Sequence, residues 1–582
     1  MSFSTDISEY NRELKNLLES LPKKSIEIKD PQVMTLTADE QTSSYKYSIE
    51  TNLIDYQEDS EWYALKGGIL VEVTLPNDNT LLAQVYKDHN HLELILDVYQ
   101  GETLTGLIIK PGTNLIFNEI NNRMRAWNTG EDAQRLETLE TNYQKLNKCI
   151  EDNKSITIPR PTSISVELIH KTVTSNFLSF IWGPPGTGKT KWSAELIQKL
   201  TREGKTILVL STSNQAVDNI LLKYLELSAF NHKSVRLGNP LAKNFNKLKE
   251  SLPENYFKDT RLQAQMERIK DLKERIINCN EDQRPDLVTE IQSVRKNFKE
   301  CIERLIENSE CNVFTTTTLA IINGIFKKKK FDYVLIDESS MMPEFILLNL
   351  INLAKSGIIC VGDPKQLPPI IDEAYPKLGR SPFYSLNNQY QPNCVFLNET
   401  WRVPQKIADL LSDLFYDHGL RSINTHEDCV EMVNLENLNT DSNGHSPSCV
   451  GSAQEICKLI LKHTLSHADV GIITPFRTQR RLIIEALKEN NLSHLTHKVF
   501  TVHSCQGDQF DHLIFDTVHY GEATTPSHFI KSSRESFEVG DALLNVALSR
   551  VHKKLYLLYD EKFIEANREK IYKLHFIVQQ LG

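Results

Sequence analysis

Three short clusters hold the residues of this chain that could do chemistry. The first is GPPGTGKT, running Gly183, Pro184, Pro185, Gly186, Thr187, Gly188, Lys189, Thr190 between the apolar run FLSFIW and a helical pattern. Gly186 and Gly188 let the backbone curl so that successive N–H groups face phosphate oxygens, and the helix start adds its positive dipole end. Lys189 reaches the β- and γ-phosphates, and Thr190 offers a hydroxyl to Mg²⁺. The bland alternative is a chance Gly/Pro turn. A strand before and a helix after, as the full pattern requires, count against it. The second cluster, YVLIDESS at 333–340, places Asp337 to hold Mg²⁺ and Glu338 to polarise a water. An acidic pair at a strand end could otherwise cap a helix. The third cluster, GDPKQLPP at 362–369, ends another strand and puts Asp363 and Gln366 where a side chain can sense a γ-phosphate. Arg402 in NETWRVP and Arg550 in LLNVALSRVHK are the cations available to a phosphoryl group as charge develops on it. If they supply that charge, the nucleotide lies between two domains, and hydrolysis alters how the domains close.

The elements that must position these residues are readable from periodicity. From residue 177 the strands FLSFIW, KTILVLST, YVLIDE and GIICVGD alternate with helical segments. The rhythm restarts after about 393 with CVFLNE, VGIITP, KVFTV, HLIFDTV and KLYLLYD. Alternation of this kind predicts an α/β fold with two parallel-sheet domains. Residues 126–240 with 311–390 are expected to form the first and 391–582 the second. Residues 241–310 are charged and helix-periodic, an inserted helical hairpin. Ahead of these, 7–21 and 132–150 carry apolar residues at helical spacing. Between them GGILVEVTL, LLAQVYKD, LELILDVYQG and LTGLIIK read as strands separated by turns. This predicts a stalk region at 1–59 and a small β-barrel at 60–125. The string HNH at 89–91 falls between two strands and reads as a turn in preference to a nuclease motif. The run KKKK at 327–330 reads as a solvated loop.

Bulk properties bound the partners. The first residues carry no basic region followed by an apolar one, and the longest apolar stretch, FILLNLINLA, is too short for a membrane span. A soluble intracellular protein with no membrane partner is expected. Ten cysteines stand singly without a CxxC pair, which argues against a zinc module and a disulfide framework. Formal net charge is −10, so any nucleic-acid contact must be local, in a groove built from particular loops.

Taken in order, GPPGTGKT, TSNQAVDNI, TTTTLA, IDESS, GDPKQLPP, TWRVP, IITPFRTQ, TVHSCQGDQFD and NVALSR resemble the motif series of superfamily 1 helicases. Within them the chain is similar to the 5′-to-3′ branch typified by the nonsense-mediated-decay and immunoglobulin-mu-binding helicases, over about 165–560. The resemblance implies two RecA-like domains, ATP and Mg²⁺, and a monomeric motor on single-stranded DNA or RNA. It implies strand contacts from Ser213, Asn214, Thr316, Thr317, Pro475, Phe476, Thr501 and His503, small polar groups at strand ends that fix register without reading sequence. It also implies that Trp401 stacks on the nucleotide base and that Gln509 lies in the nucleotide site. Three positions depart from the pattern. Ser165 stands where the branch has an adenine-binding glutamine, Met341 replaces the glutamine closing the acidic motif, and Gln509 replaces an acidic residue. Gln144 is a candidate to supply the missing amide. The other class of function open to such a chain is a nucleic-acid-dependent ATPase switch that clamps or strips complexes without unwinding.

Overall fold

The computed structural model describes residues 133–582 apart from short breaks at 162, 228–232, 239, 281–282, 323–325, 327–328, 370, 372–374, 428, 442–446, 506–507 and 522–523. Ahead of these it describes 8–10, 12–16, 119–120 and 122–123, and the backbone of seven strands. Those strands are β1 (Ile26–Ile28), β2 (Thr35–Asp39), β3 (Ser44–Glu50), β4 (Ile69–Thr74), β5 (Thr80–Asp88), β6 (His91–Leu96) and β7 (Leu107–Lys110). They form one antiparallel sheet in the order β1-β7-β4-β5-β6-β3-β2. The four predicted strands are β4 to β7. The sheet also takes in β1 to β3, so it begins far ahead of residue 60, and the 1–59 region is strand as well as stalk. Ser44–Glu50 alternates strictly, Tyr45, Tyr47 and Ile49 with polar residues between them, and is a strand signal in its own right, whereas the three-residue Ile26–Ile28 is too short to give one. Asp88 pairs with His91 across β5 and β6. The histidine that ends HNH is thus a ladder residue beside a two-residue connection, whose residues lie outside those described.

The first parallel sheet contains β8 (Leu178–Trp182), β9 (Ile207–Ser211), β10 (Ser234–Arg236), β11 (Asn312–Thr316), β12 (Phe331–Asp337), β13 (Ala354–Gly362) and β14 (Cys394–Phe396). Their order is β10-β11-β9-β12-β13-β8-β14. Successive residues point to opposite faces, and both faces are covered, which is why these strands are uninterrupted apolar runs. Ile181, Val209, Leu335 and Ile359 pack under the helices Val166–Ser175, Lys189–Arg202 and Asn214–Leu227. Their neighbours Phe180, Leu208, Val334 and Ile358 face the other way, into a core shared with Phe345 and Leu348. Tyr10, Leu14, Leu139, Tyr143 and Leu146 of the two predicted stalk helices join that same core. The Tyr10 hydroxyl donates to Glu344 at 2.9 Å, and Lys377 pairs with Glu9 at 2.7 Å.

The strand CVFLNE belongs to this sheet and not to the second one. β14 pairs with β8 through Cys394↔Phe180 and Phe396↔Trp182. Asn393 anchors the register, its backbone C=O accepting from Phe180 N at 2.8 Å and its side-chain amide donating to Leu178 O. A three-residue apolar run reads identically at either sheet's edge, so periodicity cannot assign it. The first sheet therefore ends at Phe396, past the expected boundary at 390. After it come β15 (Glu399–Pro404) and β16 (Arg421–Asn424), paired with each other. Then follow β17 (Val430–Asn434), β18 (Val470–Thr474), β19 (Val499–Thr501), β20 (Phe510–Asp516) and β21 (Val551–Tyr559). The last five make the second parallel sheet, in the order β17-β21-β20-β18-β19.

The helical insertion is led by the pair Thr260–Asn278 and Arg284–Glu307. Of the lysine run, Lys329 donates to the Ser309 carbonyl, while 327–328 lie outside the described residues. The insertion's root is tied to a buried ion pair. Arg236 and Asp218 are both fully buried, 2.9 Å apart. Asp218 Oδ2 also accepts from Leu241 N at 2.8 Å and from the Asn244 amide at 3.2 Å, while Arg236 donates to Asn214 Oδ1 at 2.8 Å. Burial lowers the Arg236 pKa against the opposing pull of Asp218, so the pair stands or falls together. We expect Asp218→Ala to cost about 3–5 kcal/mol, because it leaves a buried guanidinium uncompensated. The double change Asp218→Leu with Arg236→Met should be cheaper than the single one. Chemical denaturation of the three proteins checks this.

Candidate nucleotide site between the two sheets

The phosphate loop links the end of β8 to the helix Lys189–Arg202. Gly186 and Gly188 have φ of +72° and +81°, in the left-handed region where glycine is favoured. Gly188 is the N-cap of that helix and offers no side chain to its first turn, which leaves the dipole end to a ligand. Gly186 has a second reason to lack a side chain. A Cβ there would sit 2.4 Å from Arg402 Cβ and 2.5 Å from Thr400 Oγ1. β15 docks on the loop at this point, with Trp401 N donating to Gly186 O at 3.0 Å and Thr400 Oγ1 to Pro185 O at 2.8 Å. Lys189 donates to the Gly183 carbonyl at 2.7 Å and Thr187 to the Pro184 carbonyl. Pro184 and Pro185 are buried, and Thr190 is half-buried at the start of the helix.

Asp337 ends β12, one strand removed from β8 across β13. It is buried, and its Oδ1 has no hydrogen-bond partner. An acceptor left this way is what a cation ligand requires, and with Thr190 at the neighbouring helix start the donor set is the hard-oxygen type that Mg²⁺ takes. Burial and the negative charge of Glu338 push the Asp337 pKa up to about 7, with Lys189 pulling the other way. Glu338 follows in the left-handed region, φ +52° and ψ +33°, uncommon for a residue with a Cβ. It is half-buried, so its carboxylate retains access to water.

Asp363, just past β13, is buried and accepts from four donors. These are Trp182 Nε1 at 3.0 Å, Lys365 N at 3.1 Å, Gln366 Nε2 at 2.8 Å and the Tyr416 hydroxyl at 2.7 Å. Tyr416 in turn accepts from the Asn545 amide at 2.7 Å, and the same amide reaches Lys365 O at 2.7 Å. Arg550 is buried and donates to Gln366 Oε1 at 3.3 Å and to Val546 O of the helix Val539–Leu548 before it. Arg402 donates from Nε to Gln509 at 3.0 Å. Burial and the nearby positive charge of Arg550 lower its pKa to about 10, with Glu338 opposing, so it stays cationic at neutral pH. Glu338, Gln366, Arg402 and Arg550 are thus brought together, and Gln509 turns out to hold an arginine. Tyr416 and Asn545 were missed. Asn545 stands in the quoted LLNVALSR, but only its arginine was read.

Ser165 caps the helix Val166–Ser175, its hydroxyl accepting from Leu168 N at 3.2 Å. Trp401 is 62% exposed, its indole open to a flat ligand. Gln144 cannot supply an amide here. Its helix, Ala133–Lys154, meets the sheet at Leu178, the opposite end of β8 from the phosphate loop. Met341 lies in a short turn and packs against the core.

The predicted strand-contact residues leave the carboxyl ends of β9, β11, β18 and β19. Ser213 is exposed and its Oγ accepts from Ala216 N at 3.2 Å. Asn214 accepts from Arg236, and Thr316 accepts from Leu319 N at 3.3 Å. Pro475 is buried, Thr501 shares a hydrogen bond with Ser504, and His503 is half-buried. Thr317 is buried, as are Thr316 and Thr501, and its hydroxyl donates to Ser211 O at 3.1 Å. One expectation is corrected. Phe476 is 4% exposed, with rings of His519 and Phe529 over it, and offers no face to a base. Its burial depends on residues distant in sequence.

A phosphate loop, an acidic pair and two arginines brought from beyond the first sheet, Arg402 on β15 and Arg550 just before β21, define a P-loop nucleoside triphosphatase with two RecA-like domains. Two AAA domain family models match, over residues 163–374 and 378–562. An uncharacterised ATP-dependent helicase of Methanocaldococcus jannaschii is 25% identical over 470 residues, 69% of this chain and 68% of that one. The DNA polymerase alpha-associated DNA helicase A of Schizosaccharomyces pombe is 27% identical over 67% of this chain and 62% of its own length. A regulator of nonsense transcripts 1 homolog of Arabidopsis thaliana is 27% identical over 68% of this chain, which spans only 32% of that protein. The chain belongs to the superfamily 1 helicases, in the branch of the nonsense-transcript regulators.

The raised Asp337 pKa makes a stability statement. The neutral carboxyl is the favoured form in the folded protein, so this group's contribution is fully present below the ordinary carboxylate pKa and is lost as pH rises toward 7. Without Mg²⁺ and nucleotide, Asp337→Asn should stabilise the protein at pH 8, by on the order of 2–4 kcal/mol, and the gain should shrink as pH falls toward 4. Thermal melts at both pH values check this, and the same change should abolish turnover.

Proposed function

We propose that the protein is an ATP- and Mg²⁺-dependent motor that moves 5′ to 3′ as a monomer along single-stranded DNA or RNA and opens duplexes. The observation that carries this reading is the bond from Arg550 to Gln366, flanked by the Asn545–Lys365 contact. A side chain placed to sense a γ-phosphate is thereby bonded to a cation of the other sheet, so what happens at the phosphate is felt between the domains. Thr190 and Asp337 would hold Mg²⁺, which would supply neutralisation of phosphate charge. Lys189 and the loop N–H groups bind and orient the phosphates. Glu338 accepts the proton of the attacking water, and Arg402 and Arg550 stabilise the charge that develops on the phosphoryl oxygens. The strand lies across the carboxyl ends of both sheets, on Ser213, Asn214 and Thr316 of the first and Pro475, Thr501 and His503 of the second.

Hydrolysis should be stimulated by single strands, with binding that weakens steeply as salt rises, because phosphates release counterions. ATPase rates with oligothymidylate, with oligouridylate and with neither test this. A rate indifferent to both strands would sink the motor, and stimulation without strand separation would leave a clamp.

Ser165 is engaged as a cap and too short to read a base edge through paired hydrogen bonds, whereas Trp401 offers stacking that tolerates any base. GTP should therefore be hydrolysed within about tenfold of ATP in kcat/KM, and Trp401→Ala should raise KM for both alike. A preference for ATP beyond about a hundredfold would mean that another side chain reads the base.

A further inference from the structure

The carboxyl ends of β18 and β19 carry a column of rings in which Phe476 and His503 of the motif series meet His519, His528, Phe529 and Phe563 from outside it. Its inner members are Phe563, His519 and Phe476, with centroids 5.3 Å apart for His519–Phe563 and 5.6 Å for Phe476–His519. Phe529 stands on Phe476 at 5.3 Å, nearly perpendicular at 84°. His528 lies against Phe529 at 4.0 Å and 36°, and His503 meets Phe529 edgewise at 6.3 Å and 76°. Exposure increases outward along the column, from buried Phe476 through half-buried Phe529 to exposed His528. Thr474 and Thr501 pair across β18 and β19, so Pro475 and His503 leave the sheet side by side, next to these outer rings.

The loop that carries the outer pair is braced. His519 Nδ1 donates to Thr517 O at 2.8 Å, and its Nε2 accepts from Ser527 N at 3.2 Å, a tautomer that follows from the two partners. Burial lowers the His519 pKa to about 4, which keeps Nε2 an acceptor at neutral pH. Ile530 is fully buried just beyond the pair. Val518 has φ +66°, in a region that a β-branched residue adopts only where its surroundings over-determine it. The two rings are therefore presented on a fixed support, which lowers the ordering entropy that stacking would cost.

We infer that His528 and Phe529 form a base-stacking platform for the single strand on the second domain, in the place that the motif pattern gives to Phe476. The inference rests on the proposed strand-binding reading and adds to it a contact with bases, where the polar strand-end residues contact only phosphate and sugar. A paired ring stack with an exposed outer member tolerates every base and gives no sequence preference. It would hold the strand in step with the second domain while the first releases it.

The test measures equilibrium affinity of the full chain for labelled oligothymidylate, oligouridylate and an abasic sugar–phosphate strand of equal length, by fluorescence anisotropy. His528→Ala, and Phe529→Leu, which keeps packing on Phe476, should each weaken binding of both base-bearing strands by about tenfold. Affinity for the abasic strand should stay at the wild-type value, and melting curves verify the fold of each variant. If both variants bind the base-bearing strands within about twofold of wild type, the platform is refuted. An equal loss on the abasic strand refutes it too, since the effect would then lie in the backbone contacts. A wild-type protein that binds none of the three strands overturns the strand-binding reading itself, and the platform with it.

Discussion

One buried carboxylate organises the region between the two sheets. Asp363 accepts from an indole, an amide, a phenol and a backbone N–H, donors drawn from three separate parts of the chain. Trp182 ends the strand that enters the phosphate loop, Gln366 belongs to the turn after β13, and Tyr416 follows the helix Gln405–Phe415. A buried carboxylate is costly unless its lone pairs are satisfied, so these four groups are held at mutually fixed positions. Burial and the Asp363 charge drive the Tyr416 phenol well above its ordinary pKa, which keeps it a donor at every physiological pH. Through Tyr416 the network reaches Asn545, and through Gln366 it reaches Arg550. The phosphate-binding end of the first sheet and the arginine of the second are therefore coupled by one chain of hydrogen bonds.

The backbone at Glu338 shows what such a site demands of the chain. A left-handed residue with a Cβ costs on the order of 1–2 kcal/mol, and the sequence accepts it directly after the buried Asp337. Ser339 donates to Val361 O and Met341 N to Glu338 O, which fix the turn on both sides. The strand ends with one acid inward and the next redirected toward solvent. Extended backbone would have sent them to opposite faces of the sheet.

Chemistry that sits on consecutive residues was legible in the sequence, and chemistry assembled across the fold was not. The loop at 183–190, Asp337 and Glu338 are fixed by local sequence, and their strand–turn–helix context is local too. Gln366 and Arg550 were identified, but their mutual bond spans 184 positions and leaves no trace in periodicity. Phe476 has the residue type for stacking, and only His519 and Phe529 closing over it decide otherwise. β14 was read as a strand and assigned to the wrong sheet for the same reason: pairing partners lie outside the window in which pattern is measured. Gln509 was placed in the nucleotide site through resemblance. What the structure shows of it is one hydrogen bond, accepted from Arg402.

The end of the first sheet at Phe396 has a mechanical consequence. From there to β15 the chain has only Leu397 and Asn398 to cross, and β15 already rests on Gly186. At no more than ~3.6 Å per residue, so short a tether confines any swing of the second domain to rotation about a fulcrum at the phosphate loop. A rotation that leaves contact at Arg402 intact is carried outward along the second sheet, from β21 through β20 to β18 and β19. The place of that fulcrum is set by where β14 pairs, a matter settled by three residues at the edge of a sheet.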